Sequence, residues 1–176
     1  MLGFVISTKN RSDFLKRQLD YFVDVGCPYA IYIGDSSESE DLDANRTAVA
    51  KYKSQLQIIY NELPGIGPAV SNKKLINSVN EKYAVLLSDD DYMIPRSVQR
   101  CIDFLECNHD YVSAHGKAAC VEVDRKGPYG QIQDLGAYSL KGAEGEKSSQ
   151  RLLRFLGHYW VPGFAVQKTQ NLVEVL

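Results

Sequence analysis

The sequence lacks a long hydrophobic run. Its apolar stretch near the amino terminus, Leu2 to Ser7, is far shorter than the roughly 20 residues that a membrane-spanning helix needs. This stretch does not follow a basic segment, as the apolar core of a signal peptide would. We therefore expect no secretion signal and no helix that spans a membrane.

The sequence also lacks an excess of either charge and a metal-binding cysteine pattern. With 22 acidic and 20 basic residues, interspersed along the chain, its formal net charge is -2. This composition argues against a nucleic-acid partner bound through bulk charge. The spacing of its four cysteines matches neither a zinc ribbon nor a CxxC redox motif. Unpaired cysteines favour a reducing compartment, so we expect a cytoplasmic location.

Short apolar runs and amphipathic stretches alternate through the first two thirds of the chain. At 176 residues with 44% hydrophobic content, the chain is long enough for one domain with a sizeable core. The predicted strands are Leu2–Ser7, Ala30–Ile33, Gln57–Tyr60 and Tyr83–Leu87, and the predicted helices are Ser12–Val23, Leu42–Tyr52, Ala69–Val79 and Arg96–Glu106. Strands that alternate with helices over short connections indicate an α/β fold with a mostly parallel central sheet and helices on both faces.

The pattern is less regular after Asp110. Residues 111–123 are compatible with one long strand or two short ones, and residues 124–147 contain five glycines and few large aliphatic side chains. We interpret residues 124–147 as a loop, which is either a mobile lid over a binding site or a passive surface excursion. A helix is predicted at Ser148–Leu156 and a strand at Tyr159–Val166.

Three consecutive carboxylates, Asp89, Asp90 and Asp91, follow the buried strand that ends at Leu87. Such a cluster repels itself unless a cation or another partner neutralises it, and oxygen ligands suit Mg²⁺ or Mn²⁺. The alternative is a solvated acidic turn before a helix that has Pro95 at its first position.

Polar residues also follow the first two predicted strands: Ser7, Thr8, Asn10 and Arg11 after the first, and Asp35, Ser36 and Ser37 after the second. Each group taken alone has an ordinary explanation as a turn or a helix start. The carboxyl ends of parallel strands lie at one edge of a sheet, where ligands bind in open α/β folds. Together with the aspartates, these groups therefore predict a ligand site.

Four motifs resemble those of the inverting glycosyltransferases with the GT-A fold, in particular the large family 2. The motifs are Thr8-Lys9-Asn10-Arg11, Asp35-Ser36-Ser37, the glycine-rich turn from Gly65 to Asn72, and Asp89-Asp90-Asp91-Tyr92-Met93-Ile94-Pro95. They occur in the order and with the spacing of that family. The resemblance implies a Rossmann-like GT-A fold, with a nucleotide-binding half at residues 1–107 and an acceptor-side half at residues 108–176 of a single domain.

The resemblance also implies roles for individual residues. Asp35 would accept a hydrogen bond from the nucleotide base, Asp89 would lie near the ribose, and a lysine after Asn72 would neutralise phosphate in place of the arginine that Ser71 replaces. The implied nucleotide-binding residues are Thr8, Asn10, Arg11, Asp35, Ser36, Gly67, Asn72, Lys73 and Asp89, and the implied ligands of a divalent cation, Mn²⁺ or Mg²⁺, are Asp90 and Asp91.

The implied activity is metal-dependent, inverting transfer of a sugar from a nucleotide sugar, UDP- or dTDP-linked, to a carbohydrate or lipid-linked acceptor. Polysaccharide biosynthesis, in the cytoplasm or at the inner face of the membrane with peripheral association, is the expected setting. The family's general base comes from an acidic motif after a strand like the one near Gly163, but here only Glu174 follows. We therefore expect either a truncated chain or a base supplied from elsewhere, such as Asp134, Glu144 or a partner.

Two other functions fit parts of the sequence. A non-catalytic module that binds nucleotide sugars is favoured if the base is truly missing. A nucleotidyltransferase would also need a metal and a nucleotide pocket, but that class usually carries a glycine-rich loop directly after its first strand. Residues 8–12 contain no glycine, which argues against the nucleotidyltransferase.

Overall fold

The computed structural model describes residues 1–124 and 127–176. Its strands and helices, in chain order, are β1 (Leu2–Thr8), α1 (Ser12–Asp24), β2 (Ala30–Asp35), α2 (Ser39–Tyr52), β3 (Ile58–Glu62), α3 (Pro68–Ile76), β4 (Tyr83–Ser88), α4 (Pro95–Cys107), β5 (Ser113–Ala114), β6 (Ala118–Val123), β7 (Ile132–Tyr138), α5 (Ser148–Gly157), β8 (Val166–Lys168) and α6 (Thr169–Val175). Single-turn 3₁₀ helices occupy Gly127–Tyr129 and Pro162–Phe164.

The central sheet has the strand order β3-β2-β1-β4-β8-β5. The first four strands along the chain pair in parallel, and β8 runs antiparallel to both β4 and β5. In β1, Phe4 and Ile6 face the helices α1, α2 and α4, whereas Val5 faces α3 and α6. This alternation follows from the two-residue period of a strand. The predicted α/β fold, with a mostly parallel sheet and helices on both faces, is confirmed.

Two predictions for the second half of the chain are wrong. Residues 159–166 were predicted to form a strand, but Pro162–Phe164 is a 3₁₀ helix and β8 begins only at Val166. Proline cannot donate a main-chain hydrogen bond to a sheet, so Pro162 delays the strand. The predicted loop at 124–147, of which residues 125 and 126 lie outside the described part of the chain, contains β7, which pairs antiparallel with β6.

The hairpin of β6 and β7 is mostly solvent-exposed, with no fully buried side chain in either strand. A strand that is exposed on both faces has no strict alternation of apolar and polar residues, so its sequence carries little strand signal. The alternative of two short strands across residues 111–123 is confirmed by β5 and β6. Closure of residues 124–147 as a lid stays a prediction.

None of the helices in the described part of the chain is both long and apolar enough to cross a membrane.

The two predicted halves share the central sheet, because β8 pairs with β4 and α6 packs beside α3. The division at residue 107 stays a prediction.

Candidate functional site

The predicted site residues follow three adjacent strands at one edge of the sheet. Thr8 at the end of β1 is in register with Asp35 at the end of β2, and Ser7 is in register with Ser88 at the end of β4. Because the three strands are parallel, the segments that follow them lie side by side. Several of the carboxylates and hydroxyls that the sequence had singled out contact one another at this edge.

Arg11 joins the first and third of these segments. Its guanidinium lies 3.0 Å from Asp89 Oδ1 and donates to Asp90 Oδ2 at 2.7 Å. Thr8 Oγ1 donates to the other oxygen of Asp89 at 2.7 Å. Burial opposes the charge on Arg11, but the hydrogen bond to Asp90 and the three nearby carboxylates outweigh it and raise the pKa of Arg11.

Asp89 and Asp91 are less exposed than Asp90. Asp89 is only 2% exposed, Asp91 is partly buried, and Asp90 is exposed. Burial raises the pKa of Asp89, against the opposing effects of Thr8 and Arg11. Burial also raises the pKa of Asp91, and the like charge of Asp90 adds to the effect. A neighbouring positive charge would therefore stabilise the ionised form of both carboxylates.

The turn that carries the aspartates is held by Gln18 of α1, a residue that sequence reasoning missed. The side chain of Gln18 is fully buried, and its amide nitrogen donates to the main-chain carbonyls of Ser88 and Asp91, each at 2.7 Å. A third hydrogen bond, from Asp91 N to Ser88 O at 3.2 Å, closes the turn. The only sign of this role in the sequence is that Gln18 is a polar residue on the apolar stripe of the predicted helix.

Asp35 is almost completely buried, with 1% of its surface exposed. Its Oδ1 accepts from the main-chain N–H of Ser37 at 2.8 Å, and its Oδ2 accepts from Asn45 at 2.8 Å and from the Tyr60 hydroxyl at 2.5 Å. Burial, and then the hydrogen bond to Asp35, raise the pKa of Tyr60. Asn45 and Tyr60 come from α2 and β3, and their sequence positions did not indicate a role at the site.

Asn10 and Ser36 connect the loops that follow β1 and β2. Asn10 has a positive φ of 53°, a conformation that asparagine tolerates better than most residues. Its main-chain N–H donates to Ser37 Oγ at 2.8 Å, and its side-chain oxygen accepts from Glu38 N at 3.0 Å. The N–H of Ser36 donates to Thr8 O at 2.9 Å. These bonds fix the two loops relative to each other.

The glycine-rich turn leads into α3, whose first turn contacts β1. Gly67 precedes the helix, and Asn72 Oδ1 accepts from Ser7 Oγ at 2.7 Å. Ser71 packs so closely on β2 that a Cβ at Gly34 would lie 2.4 Å from its hydroxyl oxygen, so only glycine fits there. Lys73 is exposed and donates to the carbonyl of Leu176 at 2.7 Å, so its amine is not paired with the aspartates.

The aspartates do not form a complete protein cage for a metal. Among residues 1–124 and 127–176, no group of three or more His, Cys, Asp or Glu side chains is arranged to hold an ion. Mg²⁺ and Mn²⁺ that act on nucleotides are often held by one or two carboxylates together with the phosphates. In the described part of the chain, Arg11 pairs with one oxygen of Asp90, whereas Thr8 and Arg11 together pair with both oxygens of Asp89. Asp90 and the partly buried Asp91 therefore fit that kind of donor set better than Asp89.

The residues considered as a general base lie in the second half of the chain. Asp134 is an exposed residue of β7 opposite Glu122, and Glu144 is exposed in the segment before α5. Among the described residues, the hydrogen-bond and ion-pair partners of Asp89 and Asp90 are Thr8 and Arg11. The structure therefore does not bring Asp134 or Glu144 into that cluster.

Comparison with known proteins points to one family. The sequence model described as "Glycosyl transferase family 2" matches residues 4–170. No curated protein matches the chain.

Two solved structures with bound nucleotide sugars have a fold similar to that of this chain. S. aureus TarS 1-349 in complex with UDP-GlcNAc has a TM-score of 0.66 and 15% identity, over 98% of this chain and 46% of that one. The mannosyltransferase PcManGT from Pyrobaculum calidifontis, in complex with GDP-Man and Mn²⁺, has a TM-score of 0.61 and 14% identity, over 98% of this chain and 45% of that one. This chain thus spans less than half the length of either protein. At such low identity the likeness shows the fold, and it confirms the predicted GT-A fold.

Proposed function

The chain belongs to glycosyl transferase family 2, and from that premise we propose that it transfers a sugar from a nucleoside-diphosphate sugar to a carbohydrate or lipid-linked acceptor. The observation that carries the proposal is the family match, which runs from residue 4 to residue 170 and so includes all three strand ends at the candidate site. The donor, the acceptor and the transfer reaction are all part of the proposal, because this chain spans less than half the length of the two proteins that share its fold.

The donor's base and ribose are proposed to bind at the ends of β1 and β2. Asp35 Oδ1 accepts one hydrogen bond, from Ser37, and a carboxylate oxygen has a second lone pair. A uracil or thymine ring presents an imide N–H that suits this lone pair, which favours a UDP- or dTDP-sugar. Thr8, Asn10, Arg11, Ser36 and Asp89 complete the proposed pocket for base and ribose. TarS was crystallised with UDP-GlcNAc and PcManGT with GDP-Man, so nucleotide sugars are the shared ligand class of these two neighbours.

The diphosphate is proposed to bind beside Asp90 and Asp91. These two residues would hold Mn²⁺ or Mg²⁺, and the ion, when bound, stabilises the charge on the departing nucleoside diphosphate. Arg11 already pairs with Asp90, so it holds that carboxylate in place and reduces its repulsion with Asp89. Gly67, Asn72 and Lys73 are proposed to contact the phosphates from the start of α3.

Transfer is proposed to proceed with inversion, through a single displacement at the sugar carbon. Such a displacement needs a carboxylate that removes the proton from the acceptor hydroxyl. Within this chain the candidates are Asp134 and Glu144, and a partner or a further segment would replace them if they lie too far from the donor.

A titration tests the proposed donor and metal site. We expect UDP to bind more tightly with Mn²⁺ than without it, and Asp91→Asn to remove most of that gain while uridine binding stays unchanged, because only the phosphates need the cation. Isothermal titration of UDP and uridine measures both effects. Equal losses for UDP and uridine would contradict the assignment of Asp91.

An assay for release of UDP from a panel of UDP-sugars, with and without Mn²⁺, then tests turnover. Release that depends on Mn²⁺ supports the transferase. Tight binding with no release in the presence of acceptors would favour the non-catalytic binding module instead.

Peripheral association with the inner face of the membrane is proposed through α5. The helix is amphipathic, has no buried residue, and exposes Leu152, Leu153 and Leu156 by 56%, 70% and 60%. The segment from residue 141 to residue 154 has four basic and two acidic side chains in a chain of net charge -2, which suits anionic lipid. The four free cysteines favour the reducing cytoplasm.

Sedimentation with lipid vesicles tests this association. We expect the protein to sediment with phosphatidylcholine vesicles that contain phosphatidylglycerol, and the double substitution Leu152→Glu and Leu156→Glu to abolish sedimentation, since it places charges on the apolar face of α5. Val70→Glu is a matched control, because Val70 is 53% exposed on α3. Equal sedimentation of all three proteins would refute the role of α5.

A further inference from the structure

A second cleft lies on the outer side of α1, apart from the residues assigned to the donor. It has a volume of about 420 Å³ and opens between α1, the loop after the aspartates and the 3₁₀ helix at Gly127–Tyr129. This volume falls in the range of small-ligand sites, about 300 to 1,000 Å³. The side chains that line it are Arg17, Asp20, Tyr21, Asp24, Tyr92 and Tyr129.

Arg17 holds the walls of this cleft together. Its guanidinium packs between the rings of Phe14 and Tyr92, at 5.6 Å and 5.2 Å from their centroids, and donates to the carbonyl of Pro128. Its Nε is buried and makes no hydrogen bond within the described residues. One side chain therefore links α1, the loop after the aspartates and the 3₁₀ helix.

The tyrosine rings give the cleft apolar surfaces with polar edges. Tyr21 and Tyr92 meet edge to face at 4.9 Å, and the Tyr21 hydroxyl donates to Met93 O at 3.1 Å, which fixes both rings. Tyr92 and Tyr129 are 38% and 59% exposed, so part of each ring is available to a ligand. Flat exposed rings of this kind bind other flat or C–H-rich surfaces.

The charges around the cleft select the ligand class. Arg17, Asp20 and Asp24 line the cleft, and Asp20 is already paired with Lys16 at 3.0 Å, so the lining has no excess positive charge that would favour phosphates or nucleotides. Arg17 lies 5.2 Å from the ring centroid of Tyr92, and Lys16 lies 5.9 Å from that of Tyr129, so these rings already have cations near them and disfavour a cationic ligand. A neutral ligand with hydroxyl groups and C–H faces satisfies both conditions.

We propose that this cleft binds a saccharide. Its pyranose rings would stack their C–H faces on Tyr92 and Tyr129, and their hydroxyls would donate to the exposed carboxylate of Asp24. Tyr92 directly follows Asp91 in the chain, so the bound saccharide lies next to the donor site. If the proposed transferase function holds, this saccharide is the part of the carbohydrate acceptor beyond the sugar that reacts.

Binding of the purified chain to an array of neutral oligosaccharides, without donor, tests the proposal. We expect a subset of the oligosaccharides to be retained, and Tyr129→Ala to weaken that retention about tenfold, the loss expected for one stacking residue. Asp24→Ala should weaken the same subset. Tyr159→Ala is the matched control, because Tyr159 is 67% exposed and outside the cleft.

The outcomes separate this proposal from the proposed transferase. Retention of no oligosaccharide, or retention that Tyr129→Ala and Asp24→Ala leave unchanged, would overturn the saccharide cleft. Titration of UDP with Mn²⁺ on the same preparations provides the second measurement. UDP binding without oligosaccharide binding would refute the cleft alone, whereas oligosaccharide binding without UDP binding would support the cleft and refute the proposed donor site.

Discussion

Gln18 has no predicted role in the sequence, yet it determines the shape of the turn that carries the aspartates. It bridges the carbonyls at both ends of that turn from the buried side of α1. The three carboxylates repel one another, and burial raises the pKa of Asp89 and Asp91. Without the bridge, the turn would be free to relax toward solvent, and the carboxylates would separate.

We predict that Gln18→Leu reduces the contribution of Mn²⁺ to UDP binding by about tenfold. Leucine has a similar size but cannot donate, so the main-chain carbonyls of Ser88 and Asp91 each lose a hydrogen bond, at a total cost of about 1 to 3 kcal/mol. Isothermal titration of UDP with and without Mn²⁺ measures the first effect, and thermal unfolding measures the second.

Gln99→Leu serves as the control for Gln18→Leu, since Gln99 is exposed on α4 and donates to Asp103. A Gln18→Leu protein that loses stability but keeps the full Mn²⁺ effect would show that Gln18 has only a structural role.

At the scale of elements, the start of α1 shows how one helix caps another. Ser12 is the first helical residue, and the N-cap residue Arg11 makes no side-chain capping hydrogen bond. Instead, Asp41 from the first turn of α2 accepts from both the main-chain N–H of Ser12, at 3.0 Å, and its hydroxyl, at 2.6 Å. The cap therefore comes from a neighbouring helix 29 residues away along the chain.

We predict that Asp41→Ala lowers the free energy of unfolding by about 1 kcal/mol at neutral pH. The bonds from Ser12 hold the pKa of Asp41 below its usual value of 3.8. A lowered pKa means that the stabilisation is complete above the unfolded-state pKa and is lost as pH falls through the folded-state value. The difference between wild type and variant should thus shrink as the pH falls below about 4.

Denaturant unfolding at several pH values measures that difference. Glu40→Ala is the matched control, because Glu40 also lies in the first turn of α2 but is exposed. A difference between wild type and Asp41→Ala that persists at low pH would show that the charge of Asp41 does not stabilise α1.

At the scale of the whole molecule, the second half of the chain completes the sheet of the first. β8 covers the edge of β4, and Val166 and Leu172 are buried in the two cores on opposite faces of the sheet. Each core therefore contains residues from both halves. The hairpin of β6 and β7, in contrast, adds no buried side chain.

We predict that the two halves unfold in one transition. Trp160, the only tryptophan, lies in the second half and is 7% exposed, so its fluorescence reports on that half. Circular dichroism at far-ultraviolet wavelengths reports on the helices and strands of both. Coincident urea transitions by the two probes are expected, because the halves share both cores. A tryptophan transition at lower urea would show that residues 108–176 unfold separately.

The sequence by itself determined the order of strands and helices up to residue 107 and the polar residues that follow them. Buried parallel strands are short apolar runs, helices that pack on them carry an apolar stripe, and both patterns are local. The parallel sheet then places Thr8, Asp35 and Asp89 at one edge, as predicted from the alternation alone.

Only the tertiary structure decided which side chains contact these residues. Gln18 and Asp41 act over long stretches of chain and Asn45 acts over ten residues, and the partners of all three depend on how the helices pack on the sheet rather than on any local pattern. The antiparallel pairing of β8 with β4 was equally impossible to predict from the sequence, because a three-residue strand is too short to show the alternation of apolar and polar residues. Hydrogen bonds between distant segments are set by packing, and local sequence patterns carry no information about them.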